Sequence, residues 1–353
     1  VQSKHIAVIP GDGIGIDVTR EALKVLAALK DAASVDLRIE EFDFGAERYL
    51  ATGVSMPEGA FETFRREFDA IFIGALGDPR IPDMAHARDI LLGTRFVLDL
   101  YANHRPVKLL HDDLCPLKGR KREDVDFVVF RENTEGLYVG MGGIFKKGTA
   151  DEIATQEDVN TRKGVERIIE HAFAYARKNG LSRVTMSDKS NALRFGHDLW
   201  QRVFAEVSAR YPGIEANHLY IDALALQMVK NPAQFQVVVT CNMFGDIVTD
   251  LGAALQGGLG MAASGNINPD GVSMFEPVHG SAPKYAGKNV ANPFGAILSA
   301  QMMVEHLGFR EAGALVEKAV IACIEHRETP RELGGDLGTA EVGDAVARRI
   351  RGQ

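Results

Sequence analysis

The stretch HIAVIPGDGIGIDVTREALKVLAAL, residues 5–29, sets the fold class. It opens with His5–Ile9, an apolar run of strand length. Glycines at 11, 13 and 15 follow, and then Ile14, Val18, Ala22, Val25, Leu26 and Leu29 fall on one face at helical period. Strand, glycine turn and helix make the first half of a βα unit. The turn comes close to the dinucleotide fingerprint, but Ile16 stands where that pattern wants its last glycine. The glycines therefore either clamp a phosphate or let the helix pack close to the sheet, with Asp12 or Asp17 near the helix N-terminus. The missing glycine argues against a Rossmann fold.

The alternation continues along the chain. Asp69–Leu76 and Val125–Phe130 read as buried strands, apolar without a polar face, as in a sheet covered on both sides. Asn160–Lys178 reads as a helix, Arg183–Ser187 and Gln236–Thr240 as strands, and a further helix is predicted from near Gly245. The pattern predicts an α/β fold with substantially parallel pairing. Residues 256–292, rich in Gly, Asn and Pro, read as one long functional loop. A chain of 353 residues is long enough for about two domains. No polar linker separates two halves, so intimately joined domains are expected.

Composition excludes several functions. With 48 acidic and 40 basic residues the net charge is −8, which disfavours a general nucleic-acid or membrane-surface binder. No apolar run reaches the ~20 residues of a membrane span, and the first residues lack a signal-peptide layout. The three cysteines, Cys115, Cys241 and Cys323, do not form a disulfide framework, so a cytoplasmic protein is expected.

Against that acidic balance, arginines cluster at Arg95, Arg105 and Arg131, the last closing an apolar strand. Arginine offers a planar fork that fits a carboxylate. The cluster is either a clamp for a small di- or tricarboxylate or a set of solvated cations. In NMFGDIVTD (242–250), Asp246 and Asp250 are four apart on one helix face, an oxygen pair suited to Mg²⁺ or Mn²⁺ unless the helix dipole alone accounts for them. Asp222 is a candidate third ligand. Lys189, after a strand, is a candidate proton acceptor or a plain surface lysine. FEPVHGSAPKYAG (275–287), followed by Asn292, has backbone amides that can cradle phosphates.

Together these blocks, in this order, resemble the β-decarboxylating dehydrogenases that act on isopropylmalate, isocitrate, homoisocitrate and tartrate. The resemblance spans nearly the whole chain. It implies an isopropylmalate dehydrogenase-like two-domain fold, distinct from Rossmann. A discontinuous coenzyme-side domain, residues 1–100 and 257–353, would flank an inserted domain, 101–256, carrying the metal, the catalytic residues and the dimer contacts. Arg95, Arg105 and Arg131 would hold the malate-type carboxylate. Asp246 and Asp250, with Asp222 from a second subunit, would hold Mg²⁺ or Mn²⁺. Lys189, also from the partner, would take the hydroxyl proton, and Tyr138 would protonate the enol carbon. Glu276, His279, Gly280, Ser281, Ala282, Lys284, Tyr285 and Asn292 would meet the coenzyme.

The resemblance also bears on specificity. Asp89 and Leu91 stand where isocitrate enzymes carry serine and asparagine, and Leu92 where homoisocitrate enzymes carry arginine. Leu91 and Leu92 suit a branched alkyl group, since its burial is favourable by ~1.5–3 kcal/mol, so 3-isopropylmalate, an intermediate of leucine biosynthesis, is the expected substrate. Tartrate or D-malate, then isocitrate or homoisocitrate, are the alternatives. Asn133-Thr134-Glu135-Gly136 and Arg88 depart from the usual isopropylmalate pattern. Lys284-Tyr285, in place of an aspartate and an aliphatic residue, favour NADP over NAD. A homodimer with shared active sites is expected. A non-catalytic regulatory subunit is the contrasting possibility, and the intact set of charged residues speaks against it.

Overall fold

The computed structural model describes residues 3–352. In chain order it has β1 (Lys4–Ile9), α1 (Ile14–Ala33), β2 (Leu37–Glu41), α2 (Ala46–Thr52), α3 (Ala60–Glu67), β3 (Ala70–Ile73) and α4 (Ala85–Val97). Next come β4 (Ala102–Lys108), β5 (Asp126–Glu132), β6 (Gly142–Phe145), β7 (Ile153–Gln156), α5 (Arg162–Lys178), β8 (Arg183–Asp188), α6 (Gly196–Ser208), β9 (Glu215–Tyr220), α7 (Ile221–Lys230), β10 (Val237–Thr240) and α8 (Asn242–Leu255). The chain closes with β11 (Ala263–Ile267), β12 (Ser273–Pro277), α9 (Phe294–His306), α10 (Arg310–Glu325) and α11 (Thr339–Ile350). None of the described helices is long and apolar enough to cross a membrane.

Two compact units divide these elements. The first runs to Leu100, takes in Leu109–Arg122 and resumes at Ala253. Its strands lie in the order β2-β1-β3-β12-β11, parallel except for the β11–β12 pair. Ile6 to Ile9 of β1 are fully buried, and the predicted apolar face of α1 is buried throughout. Phe64 and Phe68, with Ile71 and Ile73 of β3 and Ile90 of α4, form the core beside β1.

Residues 256–292 are not one loop, as the sequence suggested. They contain the buried strands β11 and β12, joined by a turn in which Asn268 Oδ1 accepts from the Asp270 N–H at 3.1 Å. The strands escape a hydropathy reading because they bury Ser264, Asn266, Ser273 and Glu276 among apolar neighbours.

The glycine turn is held by Asp12. This buried carboxylate accepts from the Ala46 N–H (2.7 Å) and the Gly77 N–H (2.8 Å), and its Oδ2 lies 2.9 Å from His86 Nε2. One side chain thus ties the β1–α1 turn to α2, to the segment after β3 and to α4. The glycines serve close packing. A Cβ on Gly13, which has φ +56°, would fall 2.1 Å from the Ser281 carbonyl oxygen. Asp17, in the first turn of α1, accepts from the Gly287 N–H at 2.8 Å and so fastens the 280s segment.

The second unit comprises residues 101–108 and 123–252. Its strand order is β4-β5-β10-β8-β9, with only β4–β5 antiparallel. Register sets Thr240 beside Arg131 on one side and Ser187 on the other, and Asp188 beside Tyr220. Arg131, Asn242, Lys189 and Asp222 therefore lie at or just past the carboxyl ends of neighbouring parallel strands, where open α/β sheets bind ligands. The helix expected from Gly245 begins earlier, at Asn242. β6 and β7 form a separate two-stranded antiparallel hairpin.

His171 of α5 packs edge-on to Phe130, ring centres 4.9 Å apart. Burial, aided by nearby Lys178, lowers its pKa to about 4. The unfolded chain, near the ordinary 6.5, binds more protons here, so the stability present above about pH 6.5 is lost as pH falls towards 4. The gap is worth roughly 3 kcal/mol. In urea unfolding at pH 7 and pH 4.5, a His171→Leu variant should lose less stability on acidification than the parent chain. An equal loss would show that His171 does not carry this dependence.

Candidate active site

Arg131 is the centre of the site in the second unit. It is 1% exposed, and its charge cannot be titrated away. Nε and Nη2 donate to Asn242 Oδ1 at 2.9 and 2.7 Å, and Nη1 donates to Asp246 Oδ1. Asn242 is fixed in turn by donating to the Glu135 carbonyl at 2.9 Å. Tyr138 donates its hydroxyl to Asp246 Oδ2 at 2.9 Å, and its ring lies 5.0 Å from the Arg131 guanidinium carbon. Arg105, also buried, donates to Thr249 Oγ1 at 2.6 Å and stands 3.4 Å from Asp246. Two fixed cations and a phenol thus converge on one carboxylate, which shows that this cluster can clamp a carboxylate group.

Glu132, behind the clamp, accepts from the N–H groups of Thr134 and Glu135 and from the Thr134 hydroxyl, so it shapes the turn after β5. Burial raises its pKa.

Asp250 lies one turn beyond Asp246 on α8. Partial burial, then the neighbouring Asp246 charge, raises its pKa. Two carboxylates that disfavour each other's ionisation, with oxygen donors only, fit a hard divalent cation. Asp222 is not part of that pair within the chain. It lies in the first turn of α7 and is held by Lys189, with Nζ 2.5 Å from Oδ1. That bond holds the Asp222 carboxyl below the usual range. Among the described residues no three His, Cys, Asp or Glu side chains are gathered as a metal site. The second unit thus holds two clusters: Arg105, Arg131, Tyr138, Asp246 and Asp250 in one, Lys189 and Asp222 in the other.

In the first unit, Arg95 of α4 is buried and donates to Glu276 Oε1 at 2.9 Å; Asn266 donates to the same oxygen at 2.8 Å. Leu92 is half-buried on α4, and Leu91 packs partly against the core. A cavity of about 380 Å³ is lined by Ile14, Gly260, His279, Ala282, Tyr285 and Asn292, with Glu332 at its wall. Asn292 Oδ1 accepts from the Phe294 N–H at 3.1 Å, which leaves its Nδ2, like Nε2 of His279, without a partner among the described residues. Burial lowers the pKa of His279. His279 Nδ1 donates to the Gly280 carbonyl at 3.0 Å, so its Nε2 is an unpartnered acceptor beside the unpartnered Asn292 Nδ2 donor, and one of each in an apolar cavity suits a planar heterocycle that both donates and accepts. Lys284 Nζ sits 4.7 Å over the Tyr285 ring. Gly280 is exposed, and Ser281 holds the N-terminus of α1 through its carbonyl. Of the residues assigned to the coenzyme, Glu276 is bonded to Arg95.

The sequence reading missed Asn242, Thr249 and Asn266, and gave Asp12 only a place near the N-terminus of α1. Thr249 carried a signal, since it lies three residues beyond Asp246 on the same helix. The others find their partners only through tertiary folding.

An α/β chain with a carboxylate clamp, an acidic helix and a nucleotide-sized cavity has the parts of an oxidoreductase for small acids. The sequence pattern of the isocitrate/isopropylmalate dehydrogenases matches residues 5–346, and the chain belongs to that family. Its members are decarboxylating oxidoreductases that act on small hydroxy acids and depend on NAD and a divalent metal. The 3-isopropylmalate dehydrogenase of Thermobifida fusca is 48% identical over 350 residues, covering 99% of this chain and 98% of that one. The Streptomyces coelicolor enzyme of the same name is 46% identical, with 99% of each chain covered. The crystal structure of isocitrate dehydrogenase from Methylococcus capsulatus superposes with a TM-score of 0.88 at 37% identity, over 99% of each chain.

Gly245 makes the clamp possible. A Cβ there would fall 2.5 Å from Cβ and Cγ of Arg131. Alanine is the better helix former by about 1 kcal/mol, yet Gly245→Ala should destabilise the chain by ~1–3 kcal/mol through overpacking and weaken hydroxy-acid binding. Urea unfolding and calorimetric titration measure both. A more stable variant with unchanged binding would show that Arg131 has room to move.

Proposed function

We propose that this chain catalyses the metal-dependent, NAD(P)-linked oxidative decarboxylation of a (2R)-malate-type acid, with 3-isopropylmalate as the preferred substrate. The observation that carries the reading is the convergence of buried Arg105 and Arg131, with Tyr138, on a single carboxylate beside the acidic face of α8. The names of the sequence relatives support the substrate. So does the apolar Leu91–Leu92 pair, because a third substrate carboxylate placed against it would be left unpaired. D-malate or tartrate is the nearest alternative, then isocitrate or homoisocitrate.

Arg95, Arg105 and Arg131 bind the substrate carboxylates and fix the orientation of C2. Lys189 Nζ accepts the C2 hydroxyl proton as the C2 hydrogen leaves as hydride. The C–C bond to the departing CO₂ then breaks, leaving its electron pair in an enolate. The Tyr138 hydroxyl delivers a proton to the enolate carbon, which gives the shortened 2-oxo acid. Asp222, Asp246 and Asp250 are the residues that would hold Mg²⁺ or Mn²⁺. When bound, the coenzyme would supply the hydride acceptor and the cation would supply charge that polarises the ketone and favours the enolate.

Because Lys189 and Asp222 stand apart from the Asp246–Asp250 pair, they act on the site of a second copy, and the working form is a homodimer. Exposed apolar residues support this: Ile144, Phe145 and Ile153 on the β6–β7 hairpin, and Leu226, Val229 and Ile247 on α7 and α8. The domain division follows the same reading, with a discontinuous coenzyme-side domain and an inserted domain that carries the dimer contacts. Lys284 and Tyr285, beside the cavity, favour NADP by offering a cation to a 2′-phosphate.

Initial rates on 3-isopropylmalate, D-malate, tartrate and isocitrate, each with NAD and NADP and with Mg²⁺ or Mn²⁺, test the reading. The highest kcat/KM is expected on 3-isopropylmalate, and no metal-stimulated coenzyme reduction with any of the four would overturn it. Lys284→Asp should shift preference towards NAD; an NAD preference in the parent chain that the substitution leaves unchanged would refute the coenzyme assignment. Mixing Lys189→Ala with Tyr138→Phe chains should restore part of the activity in heterodimers. No restoration would mean that each chain's site is self-contained.

A further inference from the structure

A proton acceptor must lie within hydrogen-bond reach of its proton, so the backbone that carries it has to be held. Lys189 follows the last residue of β8 and lies outside any helix or strand. Its N–H donates to Nδ1 of His197 at 2.8 Å. His197, in the first turn of α6, is 1% exposed. The main chain closes the same loop by a second route: the Leu193 N–H donates to the Lys189 carbonyl, and the His197 N–H to the Leu193 carbonyl.

Since Nδ1 accepts a backbone proton, the ring carries its own proton on Nε2. Nε2 lies 3.6 Å from Asp158 Oδ2, longer than a hydrogen bond but within reach of the carboxylate's charge, and the Asp158 carboxyl is held below its ordinary range, chiefly by His197. Asp158 accepts from Asn160 Nδ2 at 2.9 Å, and Asn160 Oδ1 accepts from buried Trp200 Nε1 at 2.8 Å. Gly196 leaves the space for this chain, as a Cβ there would meet Asn160 Nδ2 at 2.7 Å. On another side the His197 ring packs edge-on to Phe244 of α8, centres 5.5 Å apart, two residues before Asp246. One buried ring therefore touches the backbone of the lysine, a fixed carboxylate and the acidic helix.

We infer that His197 is a positioning residue for Lys189: its Nδ1 fixes the Lys189 backbone, and the Asp158 carboxylate facing Nε2 favours the tautomer that lets Nδ1 accept. The inference rests on the proposed role of Lys189 in taking the hydroxyl proton. His197 was not singled out by the sequence reading, since the two partners that give it a role, Asp158 and Phe244, lie 39 and 47 residues away in the chain.

Three variants of the full-length chain separate the possibilities, with Lys189→Ala run beside them. His197→Phe keeps a ring against Phe244 and removes both nitrogens. His197→Asn places an oxygen near the position of Nδ1, and His197→Gln places one near Nε2 instead. His197→Phe is expected to lower kcat by ~10–100-fold, the scale of a misplaced catalytic group, with KM for hydroxy acid and coenzyme within about twofold. His197→Asn should recover kcat to within about threefold and His197→Gln should not, with thermal midpoints of Asn and Gln alike. Lys189→Ala should cost on the order of 10²–10⁴-fold.

Retained activity in Lys189→Ala would overturn the role of Lys189 and the inference with it. An inactive Lys189→Ala beside a fully active His197→Phe would overturn the positioning role alone. If His197→Phe fails to fold, Asn and Gln decide, and equal kcat in those two would also overturn it.

Discussion

A guanidinium that cannot lose its proton is buried at the end of a strand, and the second unit is arranged around that constraint. Arg131 would be prohibitively costly in an apolar sheet without partners. Asn242 meets two of its nitrogens, Asp246 a third, and its guanidinium carbon sits over the Tyr138 ring. Each partner depends on something further: Asn242 on the Glu135 carbonyl, the turn at 133–135 on Glu132, and the approach of α8 on Gly245. The start of α8 at Asn242, earlier than its apolar pattern suggests, follows from the same need, since the helix must begin where its first side chain can reach the arginine.

The same logic explains how an acidic chain binds small anions. The cations that matter are buried and few, each set against a carboxylate: Arg131 and Arg105 against Asp246, Arg95 against Glu276. The net charge of −8 describes the surface and leaves these local fields untouched. Each of these clusters is an ion pair removed from bulk water, for which an incoming carboxylate would have to compete with the resident one.

Periodicity made much of the fold legible. The apolar face of α1, the unbroken apolar runs of β1, β3, β5 and β10, and the glycine turn lacking its last glycine all pointed to α/β and away from Rossmann. β11 and β12 were hard to see because polar side chains are buried among their apolar ones, with Asn266 and Arg95 both donating to Glu276, so neither an unbroken apolar run nor a clean alternation marks them. The arginines, Lys189 and the aspartates could be named because their chemistry is rare in such places. Their partners could not, since Asn242 lies 111 residues from Arg131, Thr249 144 from Arg105, and Glu276 181 from Arg95. Asp222 stood in the sequence beside no clue that it would face Lys189; the β8–β9 register supplied that.

The glycine turn illustrates how rigidity can be borrowed. Residues 11–15 have little stiffness of their own. Asp12 closes rings of 34, 65 and 74 residues through Ala46, Gly77 and His86. The entropic cost of ring closure rises by only roughly 0.6 kcal/mol for each doubling of length. The distant anchor at His86 is thus little harder to form than the near one at Ala46. The turn at the mouth of β1 is held from outside, by three segments that reach it from far along the chain.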